Sequence, residues 1–208
     1  MIEIILLFSS VLFIFALKLF GRPSTAHRAN TFAMLAMALA VFSAFNFDFS
    51  KYDSTFYVTI VVSGLLGVLI SKRVQMTQMP ELVGLFNGFG GGASGAIAYV
   101  ELSKNTLPLS DYFVAIFSMV IGVFTFSGSI IAVLKLRGKL NNVNTTIANI
   151  FSALIPPLIF LPTFWGEIEP LSLEYFLLLS LIAGVVRVAV IGGADMPVVI
   201  AFLNSLSG

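Results

Sequence analysis

Asn87 stands in Gly84-Leu85-Phe86-Asn87-Gly88-Phe89-Gly90-Gly91-Gly92-Ala93-Ser94-Gly95, a glycine-dense run inside a strongly apolar segment. Residues three and four apart share one helix face, so Asn87 aligns with Gly91, Ser94 and Gly95. A second stretch spaces Ser118, Gly122, Thr125 and Ser129 along one face, and a third sets Asn204 beside Ser207 and Gly208. Amides and hydroxyls do not gain or lose protons near neutral pH, but they orient water through donors and acceptors. Such strips suit a file of waters and a path for something small. Each also has a plainer reading: an amide can act as interhelical glue worth about 0.6–2 kcal/mol, and hydroxyls can bond their own helix's carbonyls. Asn149 and Ser152 form a weaker pair that reads as packing. The strip Gly84, Gly88, Gly92 and Ala96 reads as a close helix contact.

Two carboxylates stand at helix starts. Asp195 lies in Ile191-Gly192-Gly193-Ala194-Asp195-Met196-Pro197, and Glu81 follows Pro80. The helix dipole favours an acid there, so capping alone explains both. Arg187 lies inside an apolar stretch, where charge is expensive; snorkelling to a surface is the simplest account, and pairing with Asp195 is the other. Gly88-Phe89-Gly90-Gly91-Gly92-Ala93 fits G-x-G-x-x-A, but no strand precedes it and the run is apolar, so nucleotide binding by these residues is not expected.

The elements that must hold these residues are membrane helices. Of 208 residues, 58% are hydrophobic and only 10% charged, with a mean hydropathy of +1.03; a soluble domain carries about 25% charged residues. There is no cysteine, which excludes disulfides and thiolate metal sites. A net charge of +1 makes no case for nucleic acid. The apolar start lacks a basic leader region and reads as a retained first span. With about 20 apolar residues needed per crossing, spans are expected at Ile2–Leu19, Thr31–Phe47, Phe56–Ile70, Leu82–Val100, Tyr112–Leu134, Ile147–Phe164 and Leu173–Val190. An eighth begins near Met196. Pro156, Pro157 and Pro162 should kink the sixth. The expected fold is an all-α integral membrane protein, a polytopic bundle of about eight transmembrane helices. Phenylalanines, 21 in all, and Trp165 read as lipid-facing packing and an interface anchor.

Charge bias orients the bundle. Lys18, Arg22, Arg28, Lys72, Arg73, Lys135, Arg137 and Lys139 fall on one side, against Lys51 and Lys104 on the other. The basic loops should be cytoplasmic and the N-terminus outside, which puts Asp195 at the cytoplasmic end of the seventh span.

The stretches Met76–Glu101 and Gly192–Gly208 closely resemble the β subunit of proton-translocating NAD(P) transhydrogenase. The resemblance rests on Met79-Pro80-Glu81-Leu82-Val83, the Asn87 glycine run, Gly192-Gly193-Ala194-Asp195-Met196-Pro197-Val198-Val199 and Leu203-Asn204-Ser205-Leu206-Ser207-Gly208. The resemblance implies the transmembrane proton-conducting domain of an inner-membrane complex that moves hydride between NADH and NADP⁺. It implies an α-subunit partner that supplies membrane helices, a C-terminal NADP(H) domain, a homodimer of αβ units and surrounding lipid. NAD(H) and NADP(H) would be bound by the soluble domains of the complete enzyme, with no cofactor, metal or catalytic residue in these 208 residues. The proton channel would involve Asn87, Gly91, Ser94, Ser118, Thr125, Ser129, Asn204 and Ser207. Asp195 and Glu81 would couple it to the nucleotide domain. Some members place a histidine where Asn87 stands; others keep asparagine and carry a histidine on a helix of the α subunit. His27, the only histidine here, lies in a basic loop, so the titrating group is expected from the partner. The family's β subunit continues past Asn-Ser-x-Ser-Gly into the NADP(H) domain, so a chain ending at Gly208 is expected to be a fragment. A self-contained small-solute transporter or membrane scaffold would suit the bulk composition equally well.

Overall fold

Asp53 opens one helix, and Gly138 closes another. The Asp53 carboxylate accepts the backbone N–H of Phe56 at 3.0 Å, at the start of the helix Ser54–Arg73, satisfying one of the donors left over in a first turn. Gly138 has φ of +65°, and there Gly138 N–H bonds Lys135 O while Lys139 N–H bonds Leu134 O, both at 2.9 Å. This pair of bonds satisfies the last carbonyls of the helix that precedes it.

The computed structural model describes residues 2–44, 52–104, 106–140, 143, 146, 149–150, 153–154 and 171–207. Seven long helices are found there: α1 (Ile2–Phe20), α2 (Ala26–Ala44), α3 (Ser54–Arg73), α4 (Met79–Ser103), α5 (Leu109–Leu136), α6 (Leu171–Ala189) and α7 (Met196–Ser207). Among the described residues there is no strand. The sixth expected span falls almost entirely outside them, as do Ser152, Trp165 and the three prolines.

Helices start and stop where local chemistry allows. α4 and α7 carry Pro80 and Pro197 in their first turns, where a missing N–H does no harm. α2 begins five residues before the expected span, because His27, Arg28 and Asn30 continue the helix beyond its apolar part. By length and apolarity α1, α3 and α5 can cross a membrane, and a fourth span follows if the segments Leu173–Ala189 and Gly193–Ser207, bent by 111° at their junction, count as one. α2 and α4 cover expected spans, but His27 and Arg28 dilute the first, and glycines, Asn87, Glu81 and Glu101 the second. The all-helical expectation holds; the described helices support three to four spans of the eight.

The chain divides into two compact units, Met1–Lys72 and Arg73–Gly208. In the first, α1 packs on α2 through Ala16, Ala29 and Ala36, all buried. Ser9 Oγ donates to Ala36 O at 2.7 Å, and Phe15 meets Phe32 edge-on at 5.2 Å. The connection is a 3₁₀ turn, Pro23–Thr25, pinned by the Thr25 hydroxyl on Leu19 O at 2.6 Å. α3 carries no buried residue. Large apolar side chains such as Ile4, Leu7, Leu17 and Val58 point outward, which suits a solvent of lipid tails.

In the second unit α5 is central, packing on α4, α6 and α7. One core cluster joins Ala98, Leu102, Met119, Phe176 and neighbours; another joins Ala132, Val188, Met196, Ile200 and Leu203. α5 runs Leu109–Leu136, a little beyond the expected Tyr112–Leu134.

Candidate functional site

The short connection between α4 and α5 makes them antiparallel neighbours, and their polar strips face each other. Asn87 Nδ2 donates to Ser129 Oγ at 2.9 Å. Asn87 is 9% exposed and Ser129 is fully buried. Gly88 makes room for this bond: a Cβ there would stand 3.1 Å from Ser129 Cβ. Farther along, Gly91 lies against Thr125, and Ser94 Oγ shares a hydrogen bond with Ser118 Oγ at 3.3 Å. Thr125 is wholly buried, and its hydroxyl has no hydrogen-bond partner among the described residues. The residues read as two separate strips thus form one seam.

Between its two polar pairs the seam is tight. A Cβ on Gly122 would stand 2.5 Å from Gly91 O and 2.6 Å from Gly95 N. The backbones of α4 and α5 therefore touch, and the space vacated by Gly91 and Gly95 is filled by the neighbouring helix. Glycine serves here for close approach. The other glycine strip behaves as read: Gly84 meets Val133 and Ile200, and Gly92 meets the Phe126 ring.

At each end the seam opens into a cleft. Beside Asn87, a cleft of about 670 Å³ is lined by Gly90, Pro197, Ala201, Asn204 and Ser207. This brings the α7 amide to the same space as the α4 amide. The Ser207 hydroxyl bonds Leu203 O at 3.0 Å within its own helix, as its plainer reading allows. Beside Ser94 and Ser118, a cleft of about 570 Å³ carries Glu101 and Asp111.

The carboxylates expected at helix starts differ. Asp195 ends a 3₁₀ turn, Gly193–Asp195, before α7, and is exposed. Glu81 does more than sit at a helix start: its Oε2 accepts Arg137 Nε at 2.6 Å, tying the start of α4 to the end of α5. Arg187 is exposed on α6.

Lys135 shows what charge counting misses. It is 5% exposed, and its Nζ donates to Ala189 O and, at 2.6 Å, to Ile191 O. The last carbonyls of a helix lack intrahelical donors and form its negative pole, and the lysine meets that need for α6. A signal was present in the sequence: Gly128, Ala132 and Lys135 fall four and three apart, a second small-residue face of α5 that packs on α6. Gly128 touches Val188.

A family model for the NAD(P) transhydrogenase beta subunit matches residues 2–208. The chain belongs to the NAD(P) transhydrogenase beta subunit family. The proteins called NAD(P) transhydrogenase subunit beta from Rhodospirillum rubrum, and from a designated strain of it, are each 30% identical over 213 residues. The match covers 96% of this chain and 46% of theirs, so the chain spans about half the length of the curated relatives it matches. With this family and its apolar helices, it is a membrane protein.

Proposed function

We propose that residues 1–208 form the transmembrane proton-conducting domain of an NAD(P) transhydrogenase. The observation that carries this reading is the buried Asn87–Ser129 bond beside a cleft shared with Asn204 and Ser207, in a chain of this family. The proposed path includes Asn87, Ser94, Ser118, Thr125, Ser129, Asn204 and Ser207, with Gly91 as the close contact that holds α4 against α5. The amides and hydroxyls orient water around a relay proton; the titrating group comes from a helix of the α subunit. Hydride passes between NADH and NADP⁺ in soluble domains, the NADP(H) domain lying in the part of the relatives beyond this match, and this domain alone transfers none. Asp195 and its loop sense the docked NADP(H) domain and set which side the relay proton faces, while Glu81 acts through Arg137. The bundle has about eight spans in an inner membrane, with the N-terminus outside and the basic loops cytoplasmic. Two αβ units pair. The family match does not favour a self-contained transporter or scaffold.

The test uses the complete enzyme in sealed vesicles supplied with NADH and NADP⁺. The expected result is nucleotide reduction accompanied by proton movement across the membrane. Hydride transfer without proton movement in vesicles shown to be tight would reject the reading.

A further inference from the structure

Outside the α1–α2 turn, every described lysine and arginine ends a helix or follows one closely, from Lys72 and Arg73 on α3 to Arg187 on α6, where the negative pole of the helix favours it. Two of them face a carboxylate as well, Lys104 with Glu101 at 2.7 Å and Arg137 with Glu81 at 2.6 Å. Arg28 breaks this pattern. It lies in the first turn of α2, at the positive pole, with no acid there. Lys18, Arg22 and His27 crowd the same turn, and all four residues are exposed. None of their side chains has a hydrogen bond or an ion pair among the described residues. The only acid on either helix is Glu3, about 22 Å back along α1 from Lys18.

We infer that the α1–α2 turn is a binding site for the headgroup of an anionic phospholipid, held by Arg22, Arg28 and Lys18. An anion there offsets cations that the dipole of α2 disfavours, and the described residues supply none. Depth selects a lipid over a soluble anion or an acidic protein. Lys18 stands between Leu17 and Leu19, and Leu17 and Phe20 are 71% and 47% exposed, so lipid tails reach the level of the turn. A phosphate whose acyl chains lie along those side chains arrives at the three cations directly. Arginine takes phosphate oxygens through two parallel N–H donors, and the lysine stem reaches the interface from within the apolar run. The receiving backbone is fixed beforehand. Pro23 holds Arg22 extended, at φ −131° and ψ 128°, and the Thr25 hydroxyl bonds Leu19 O, so little ordering cost falls on binding. Such a site needs only a membrane around the chain and is independent of the proton path.

The test places the complete enzyme in nanodiscs doped with a phosphatidylglycerol that carries a photoreactive group beside its headgroup, or with phosphatidylcholine carrying the same group. Labelled peptides are then mapped by mass spectrometry. Phosphatidylglycerol is expected to label the turn more than phosphatidylcholine, by a margin that shrinks as salt is raised. Labelling is expected to fall about fivefold for each charge removed, so about 25-fold for Arg22→Gln combined with Arg28→Gln. Arg22→Lys combined with Arg28→Lys keeps the charge and should retain most of it. Should the double glutamine variant fail to insert, the salt dependence of the wild type decides instead. Equal labelling by the two lipids, or labelling indifferent to salt and to the two arginines, would overturn the inference. Carbodiimide coupling of Lys18 to a carboxylate of another polypeptide, with no lipid label at the turn, would also overturn it and assign the charges to a protein contact.

Discussion

The α1–α2 pair and the α4–α7 bundle are both built of apolar helices, and in both some hydroxyls bond backbone carbonyls, yet they join their helices differently. In the first, the hydroxyls of Ser9, Ser10, Thr25 and Ser43 bond backbone carbonyls, and alanines, Ser9 and the Phe15–Phe32 pair make the interhelical contact. In the second, an amide and hydroxyls bond one another across helices, a lysine is buried, and glycines bring two backbones together. Back-bonding leaves a hydroxyl committed to a carbonyl, whereas the bonds of the second region gather an amide and hydroxyls into one seam, which also holds the Thr125 hydroxyl, unpartnered among the described residues. On the proposed reading the proton path lies in α4–α7, and α1–α2 serves packing.

The sharpest way to break this contrast is a pair of alanine substitutions. Gly122→Ala pushes a Cβ into the backbone of α4 and is expected to destabilise by about 1–3 kcal/mol. Gly64→Ala on α3, where a Cβ meets nothing within 4 Å, is expected to be neutral or to stabilise by a few tenths, up to about 1 kcal/mol. Thermal unfolding of the complete enzyme in detergent checks both. Equal shifts would show that the α4–α5 seam is packed no more closely than the open face of α3.

A smaller effect compares two serines. Ser129→Ala and Ser9→Ala each remove one interhelical hydrogen bond, and each is expected to lower stability by about 0.6 kcal/mol, at most near 2. Only Ser129→Ala should also reduce proton movement in vesicles. Pumping that falls equally in both variants would dissolve the distinction between the seam and the packing pair.

Much of this is legible in the sequence. Apolar windows located the helices, and the spacing of Asn87 with Ser94 and of Ser118 with Ser129 marked the faces that meet. That they meet, and in which register, depends on the α4–α5 connection and on where glycines let backbones touch; spacing within one helix carries no such information. The same limit applied to Gly91 and Gly95, where a missing side chain signals a void and a contact equally well. Arg137 and Lys135 read as charge bias because they stand at the end of an apolar run. Their partners, Glu81 and the carbonyls of Ala189 and Ile191, lie 54 to 56 residues away. No local pattern records a bond over that distance, and a backbone carbonyl leaves no mark in the sequence at all.

The central claim is that the cleft joining α4 to α7 carries protons. Asn204→Leu in the complete enzyme, assayed for nucleotide-driven proton movement in sealed vesicles, tests it most directly. Asn204 is exposed to that cleft, so the substitution removes an amide without disturbing a buried contact. The account predicts that pumping and the hydride transfer coupled to it both fall while the enzyme still assembles. Pumping at the wild-type rate would contradict it.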